Sequence, residues 1–94
     1  MGFAYDEFEL TESAYRHGYD DADVADILRR RHLVVRSRRG RLTGYEILGR
    51  NAAGAYLLAA GRVVKSAGVN VLRVFHLNRM SESEKRRFRR ITGQ

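Results

Sequence analysis

Four strand-forming runs between residues 33 and 78 are joined by turns too short for a crossover, and this constrains the fold most. The runs cover residues 33–36, 44–50, 55–65 and 71–78, and the first turn falls at Arg39 and Gly40. Strands joined by so few residues pair antiparallel, because parallel neighbours need a connection of a dozen residues or more. The sequence therefore predicts a four-stranded antiparallel sheet.

The first third of the chain carries two helix signals and an ambiguous start. Thr11 can cap a short helix that Gly18 ends, because glycine readily takes the left-handed conformation. Asp20 can cap a second helix through about Arg31, with aspartates at its start and arginines at its end, as the helix dipole prefers. Residues 1–10 have apolar side chains at alternating positions, and form either an edge strand or a flexible docking arm.

A third helix signal follows the last strand. Ser81 and Glu84 have the spacing of a capping box and predict a helix from residue 82 to about residue 91. The predicted element order is ααββββα. We therefore expect a single α+β domain over residues 1–94, with two N-terminal helices, a four-stranded antiparallel sheet and a C-terminal helix.

Charge is distributed unevenly along this domain. Residues 1–26 hold eight acidic residues and one arginine, whereas residues 27–94 hold seventeen lysines and arginines and three acidic residues. Only Lys65 and Lys85 are lysines, and the planar guanidinium of arginine matches phosphate with paired hydrogen bonds. A basic surface attracts polyanions. The pattern indicates a nucleic-acid partner, with a merely solvated charged face as the alternative.

Several classes of protein are disfavoured by what the sequence lacks. The chain contains no cysteine, so neither a disulfide framework nor a thiolate zinc site is expected. No apolar run is long enough for a transmembrane helix, and the acidic start does not resemble a signal peptide, which predicts a cytoplasmic protein without membrane contact. His17, Asp20, Asp23 and His32 lack the histidine spacing of a metal site, and the aspartates are better explained as helix caps. No metal or cofactor is predicted.

The exit of the last strand carries the first candidate site, at His76 and Arg79. Metal-free cleavage of RNA needs a base for the 2′-hydroxyl, a cation for the charge on the phosphate, and an acid for the leaving oxygen. Histidine serves either proton step near neutral pH, and arginine stabilises charge that develops on phosphate. Strand alternation predicts that His76 shares a face with Leu72 and Val74, so a histidine at the edge of the core is the alternative. Arg79 precedes a helix N-terminus, which itself attracts anions.

Further charged residues extend this candidate site. Glu46 is the only acid between Asp26 and Glu82, and is either a general base or a salt-bridge partner for an arginine. Arg62 is predicted to join Arg50 across the turn between their strands, since paired strands bring side chains together. The cations predicted to bind RNA are Arg62, Lys65, Lys85, Arg86, Arg89 and Arg90.

Three segments of the chain resemble one family, the BrnT-like toxins of the wider RelE/ParE-type fold. The family's helix–HG–helix opening resembles YRHGYDDADVADIL at residues 15–28. Its glycine-marked strand pair resembles EILGRNAAGAYLLAAGRVV at residues 46–64, and its closing strand and helix resemble RVFHLNRMSESEKRRF at residues 73–88. Together the segments cover roughly residues 12–90, and their order and spacing agree with the family.

The resemblance implies a RelE-like fold and a bacterial type II toxin that cleaves RNA without a metal, inhibits translation and arrests growth. The implied partners are a cognate antitoxin protein and RNA, including mRNA on the ribosome, with operator DNA bound only in complex with the antitoxin. Phe75, His76 and Arg79 fit the family's strand-exit motif, and its active-site arginine maps to Arg50 or Arg73. The predicted catalytic residues are His76, Arg79, Arg50, Arg73 and Glu46.

Two other functions are compatible with the same charge pattern. One is a non-catalytic protein that binds RNA or the ribosome through its basic face, and it would bind RNA without cutting it. The other is an interaction protein whose arginines meet an acidic protein partner. Its binding would be sensitive to salt with that protein and absent with RNA.

Overall fold

The chain forms a five-stranded sheet with short helical elements packed on it. The computed structural model describes residues 3–39 and 42–94, so Gly40 of the predicted first turn lies outside the described residues. In chain order the elements are strand β1 (Glu7–Leu10), a 3-10 helix (Glu12–Tyr15), helix α1 (Asp21–Arg29), strands β2 (Leu33–Arg39), β3 (Leu42–Arg50), β4 (Tyr56–Ser66) and β5 (Val69–Arg79), and helix α2 (Glu82–Thr92). None of the described helices is long and apolar enough to cross a membrane.

The predicted sheet of four antiparallel strands is wrong, because β1 adds a fifth strand in the parallel direction. The strand order is β1-β5-β4-β3-β2, and Glu7 to Leu10 pair with Val71 to Val74. The other three pairs are antiparallel, as their short connections require. Parallel pairing is possible here because most of the domain connects β1 to β5 and supplies the long connection that it needs. Of the two alternatives for residues 1–10, the edge strand is the one observed at Glu7–Leu10.

The first of the two predicted N-terminal helices is also wrong, because the segment forms only one 3-10 turn. The side chain of Thr11 makes no capping hydrogen bond to it. Gly18, with φ of 88°, ends the segment. So few residues cannot offset the cost of nucleating an α-helix, and 3-10 geometry is the common outcome for such short pieces. Ala14 is fully buried and holds the turn against the sheet.

Helix α1 begins as the sequence predicts. The side chain of Asp20 accepts hydrogen bonds from two amides of the first turn, and the side chain of Asp23 accepts one from the Asp20 amide in return. The helix ends at Arg29, slightly earlier than predicted. It packs closely on β3 because Gly49 has no side chain: a Cβ there would come within 2.8 Å of Cγ2 of Ile27.

The sheet has two faces, and each carries its own apolar cluster. The face covered by the 3-10 helix and α1 is called the core face, and its buried residues are Ala14, Val24, Ile27, Ile47, Leu57, Ala59, Leu72, Val74 and Leu77. The opposite face is called the α2 face, and its buried cluster is Leu48, Leu58, Met80 and Phe88. The predicted capping box of Ser81 and Glu84 is present at the start of α2. That helix buries Phe88 completely.

A bulge in β5 changes which residues share a face. Across β4, Gly61 pairs with Val74 but Ala60 pairs with His76, which leaves Phe75 as an extra residue. The strands approach closely here, since a Cβ on Gly61 would lie 2.4 Å from the carbonyl oxygen of Arg73. The bulge shifts the alternation by one residue. The prediction that His76 shares a face with Leu72 and Val74 is therefore wrong, and His76 lies on the α2 face.

Candidate functional site

Helix α2 covers only one end of its face and leaves a cavity of about 530 Å³ beside its first turn. The floor contains small residues, Gly44 and Ala60, on the neighbouring strands β3 and β4. The functional side chains that line it are Glu46, Arg62, Arg73, Phe75, His76 and Arg79. The fold therefore brings four of the five predicted catalytic residues to one cavity, together with Arg62 from the predicted RNA-binding set.

The two candidates for proton transfer lie in one row across the sheet. Ala60 is the cross-strand partner of Glu46 on one side and of His76 on the other. Neighbouring strands are about 4.8 Å apart, so the two Cα atoms flank Ala60 at a separation of about 10 Å. Ser37 donates a hydrogen bond of 3.4 Å to Oε2 of Glu46. The row places a carboxylate and an imidazole on opposite sides of a small floor residue.

Two arginines occupy the next row of the same face. Arg62 and Arg73 are direct cross-strand partners, an arrangement in which like charges repel. Nε of Arg73 donates to Oε2 of Glu9 at 2.6 Å, and this ion pair offsets part of the repulsion. Within the described part of the chain, no ion pair involves Arg62. Both guanidinium groups line one cavity, and guanidinium has the charge and the paired donors that suit anions such as phosphate.

Arg79 reaches the cavity from the strand exit, and its Nε donates to the Tyr19 hydroxyl at 3.3 Å. The neighbouring end of α2 is less open to anions than its position suggested. The Ser81 hydroxyl accepts from the Glu84 amide, and the Glu84 carboxylate accepts from the Ser81 amide. The Glu84 carboxylate and the Ser81 hydroxyl thus already occupy the N-terminus of α2. A role for Arg79 in binding phosphate rests on its guanidinium alone.

Arg50, although predicted as catalytic, lies away from this cavity. Its guanidinium stacks over the Tyr56 ring at 4.9 Å, and its Nε donates to the Gly54 carbonyl oxygen at 3.2 Å. The predicted pairing of Arg50 with Arg62 is wrong, because Arg50 pairs with Tyr56 and Arg62 lies further along β4. At about 3.3 Å per residue, that offset is roughly 20 Å. Arg50 lines a separate basic cavity with Arg30 and Arg31.

The remaining cations predicted to bind RNA lie outside the cavity. Lys65 is exposed near the far end of β4, where it pairs with Asn70. Lys85 bonds Glu82 at 3.5 Å and lies over the Tyr56 ring at 5.4 Å. The other three, Arg86, Arg89 and Arg90, are exposed on α2. They extend the basic surface beyond the cavity without entering it.

Sequence reasoning missed three contributors to the site: Phe75 as a lining residue, Ser37 as a donor to Glu46, and Glu9 as the partner of Arg73. The alternation in residues 1–10 hinted at the strand that carries Glu9. His17 also approaches the site, since the centroid of its ring lies 5.8 Å from that of His76 in an edge-on contact.

Among residues 3–39 and 42–94, no group of three or more histidine, aspartate or glutamate side chains is arranged to hold a metal ion.

Comparison with known proteins adds no assignment to this geometry. No protein-family model matches the chain, and no curated protein matches it.

Proposed function

We propose that this protein is a small endoribonuclease of the toxin type, which binds the RNA backbone at the cavity of the α2 face and cleaves it. The observation that carries the proposal is the pair of adjacent rows on that face. One row holds Glu46 and His76 on either side of Ala60, and the next holds Arg62 and Arg73. Together the two rows hold candidates for the base, the acid and the phosphate-binding cations that metal-free cleavage of RNA needs.

In the proposed reaction, Glu46 removes the proton of a ribose 2′-hydroxyl, and the resulting oxygen attacks the adjacent phosphorus. The bond from phosphorus to the 5′-oxygen of the next nucleotide breaks, and His76 delivers a proton to that leaving oxygen. Arg62 and Arg73 stabilise the charge that develops on the phosphate oxygens. The products are a 2′,3′-cyclic phosphate and a 5′-hydroxyl. DNA is not a substrate because it lacks the attacking hydroxyl.

The wider biological role is proposed from the sequence. The three segments that resemble BrnT-like toxins, together with the basic residues outside the cavity, support a bacterial type II toxin that cleaves cytoplasmic RNA, including translated mRNA. A cognate antitoxin would hold it inactive. Expression without that partner should arrest bacterial growth and produce new 5′ ends in total RNA. Normal growth with intact RNA, at verified expression of folded protein, would contradict this role.

Two conservative variants test the proton-transfer assignment in a cleavage assay with purified protein and a fluorescent RNA oligonucleotide. Glu46→Gln and His76→Gln should each lower the cleavage rate by about 10²–10⁴-fold, the usual contribution of a positioned acid or base. The parent should have a bell-shaped dependence of rate on pH, and each variant should lose one limb of it. Glu82→Gln and His32→Gln are matched controls outside the cavity and should retain the parent's rate and pH profile.

The same assay separates the rival functions. A parent protein that binds the oligonucleotide without cutting it would be a non-catalytic RNA binder. A parent that neither binds nor cuts RNA, but binds an acidic protein in a salt-sensitive way, would be the interaction protein. Either result overturns the ribonuclease proposal.

A further inference from the structure

The bulge residue Phe75 is the one large apolar side chain of β5 that stays exposed. Its relative exposure is 41%, whereas Leu72, Val74 and Leu77 on the same strand are fully buried. A single exposed apolar residue is ordinary on a protein surface. Phe75 differs because it lines a cavity beside charged and polar side chains such as Arg73 and His76, although Leu58 and Tyr45 line the cavity as well. A flat apolar ring in such a cavity is suited to a ligand that has both charge and an aromatic face.

The backbone of the bulge is held in place by the N-terminal segment. The Ser13 hydroxyl donates to the Phe75 carbonyl oxygen at 2.8 Å, and the Thr11 amide donates to the Val74 carbonyl oxygen at 2.9 Å. A bulge leaves its extra residue outside the regular ladder, and these bonds satisfy carbonyls at that point. The exposed position of Phe75 is thus a fixed feature of the fold, supported from the sheet edge.

No ring of a described residue stacks on Phe75. The aromatic contacts among the described residues join Phe3 with Tyr5 and Tyr45, Tyr56 with Phe88, and His17 with His76. The ring of Phe75 therefore belongs to no internal aromatic cluster. With 41% of the residue exposed, part of the ring is open to a ligand.

We infer that Phe75 is a stacking platform for an unpaired nucleobase, an inference that rests on the proposed RNA function of the cavity. Arg73 lies two residues before Phe75 and faces Arg62 across the strands. A nucleotide whose phosphate lies between these arginines can place its base on the Phe75 ring. Base stacking on an aromatic side chain requires the base to be out of a duplex. The site therefore takes single-stranded RNA and engages one base next to the bound phosphate.

The test compares Phe75→Leu with Phe75→Tyr in RNA binding and cleavage. Leucine keeps an apolar side chain but has no aromatic face, whereas tyrosine keeps the ring. Phe75→Leu should raise the Kd for a single-stranded oligonucleotide by roughly 5- to 150-fold, the fold-change that corresponds to one lost stacking contact. Phe75→Tyr should stay near the parent. Both variants should melt at the parent's temperature, because the side chain is exposed.

A second arm locates the stacked base. Oligonucleotides that carry one abasic ribose at successive positions should show one position where the parent loses affinity by a similar factor. Phe75→Leu should lose no more affinity at that position, because the partner of the missing base is already gone. Equal Kd values for parent and Phe75→Leu, with abasic losses unchanged by the variant, would overturn the inference.

The two proposals fail separately in this design. If the parent cuts RNA but Phe75→Leu binds and cuts as the parent does, the ribonuclease proposal stands and the stacking role is wrong. If the parent binds without cutting, yet the affinity depends on Phe75 and on one base, the catalytic proposal is wrong and the stacking role stands.

Discussion

The two faces of the sheet share the same strands and differ in what covers them. On the core face, the 3-10 helix and α1 bury an unbroken apolar cluster that includes Leu72 and Val74. On the α2 face, a single helix covers one end and leaves the other as a cavity with charged walls. Arg73 lies between Leu72 and Val74 in sequence, so strand alternation alone sends neighbours to opposite environments.

This difference separates folding from activity. The buried apolar clusters of the two faces, the larger of them on the core face, carry the free energy of burial, whereas the charged residues of the cavity add little to stability and supply the proposed chemistry. Two small residues of β4 shape the cavity. The short side chain of Ala60 leaves space above the sheet, and Gly61 allows the strands to approach at the bulge. Neighbouring substitutions on opposite faces should therefore have opposite phenotypes.

The largest expected effect is on stability, from Leu72→Ala on the core face. Removing this fully buried side chain should lower the free energy of unfolding by about 2–5 kcal/mol, because it leaves a cavity in a packed core. Urea unfolding followed by circular dichroism measures the change. A loss below about 0.5 kcal/mol, the range typical of surface substitutions, would mean that the core face is not packed as described.

Arg62→Ala should show the reverse pattern. The cleavage rate should fall by about 10²–10³-fold, as it does when other groups that stabilise transition-state charge are removed. The free energy of unfolding should change by less than about 0.5 kcal/mol, because the side chain is exposed. Lys65→Ala is the matched control, since it removes an exposed cation from the same strand outside the cavity. Equal rates for the two variants would contradict the assignment of Arg62.

Adjacent alanines on β4 give the sharpest contrast between the faces. Ala59 is buried in the core cluster and Ala60 is on the cavity floor. Ala59→Leu should destabilise the fold by about 1–3 kcal/mol, because extra methylenes do not fit a packed core. Ala60→Leu should melt close to the parent but block access between Glu46 and His76, which abolishes cleavage. Thermal melting beside the cleavage assay measures both, and a reversed outcome would exchange the roles of the two faces.

The smallest expected effect is at the rim of the core face, at Tyr15. Its hydroxyl donates to Asp21, and this hydrogen bond, helped by desolvation and by the charges of Asp21 and Asp20, raises the pKa of Tyr15 above its ordinary value of 10.0. Because the folded pKa exceeds the unfolded one, the contribution to stability is complete below the unfolded pKa and is lost as pH rises through the folded pKa. Tyr15→Phe should therefore lose less stability than the parent across the alkaline range, measured by urea unfolding at increasing pH. Identical alkaline losses would show that this bond does not contribute.

Local signals in the sequence predicted two helix starts correctly and failed for the segment after Thr11, which forms only a 3-10 turn. Asp20 and Ser81 both open helices through capping boxes, as their spacing to Asp23 and Glu84 allows. The parallel pairing of β1 was not predictable in the same way, because it joins residues that are far apart in sequence and depends on the completed sheet. Apolar alternation was compatible with a strand there, as it was with a docking arm, and gave neither a partner nor a direction.

The composition of the site was predictable in part. His76, Arg79 and Glu46 were predicted from residue type and position and Arg73 from the family resemblance, and all four line one cavity. The bulge in β5 was not predictable, because it depends on the close approach between Gly61 and the opposite strand. It moved His76 to the α2 face and exposed a neighbouring aromatic ring.

The distance between Arg50 and Arg62 shows a different kind of error. Arg50 ends its strand beside a short turn, so only residues just after that turn can lie opposite it. Arg62 lies well beyond those residues, and counting along β4 from the turn is enough to separate the two arginines. Paired strands do bring side chains together, but only those that the register places opposite each other.

If the cavity of the α2 face cleaves RNA by attack of a 2′-hydroxyl, the ends of the products carry the chemical record of that attack. Purified parent protein is incubated with a single-stranded RNA oligonucleotide, and with a copy whose cleaved position carries a 2′-O-methyl group. Mass spectrometry of the products should show a 2′,3′-cyclic phosphate and a 5′-hydroxyl from the first, and no cut at the methylated position. Equal cleavage of both oligonucleotides, or no cleavage of either by folded protein, would contradict the account.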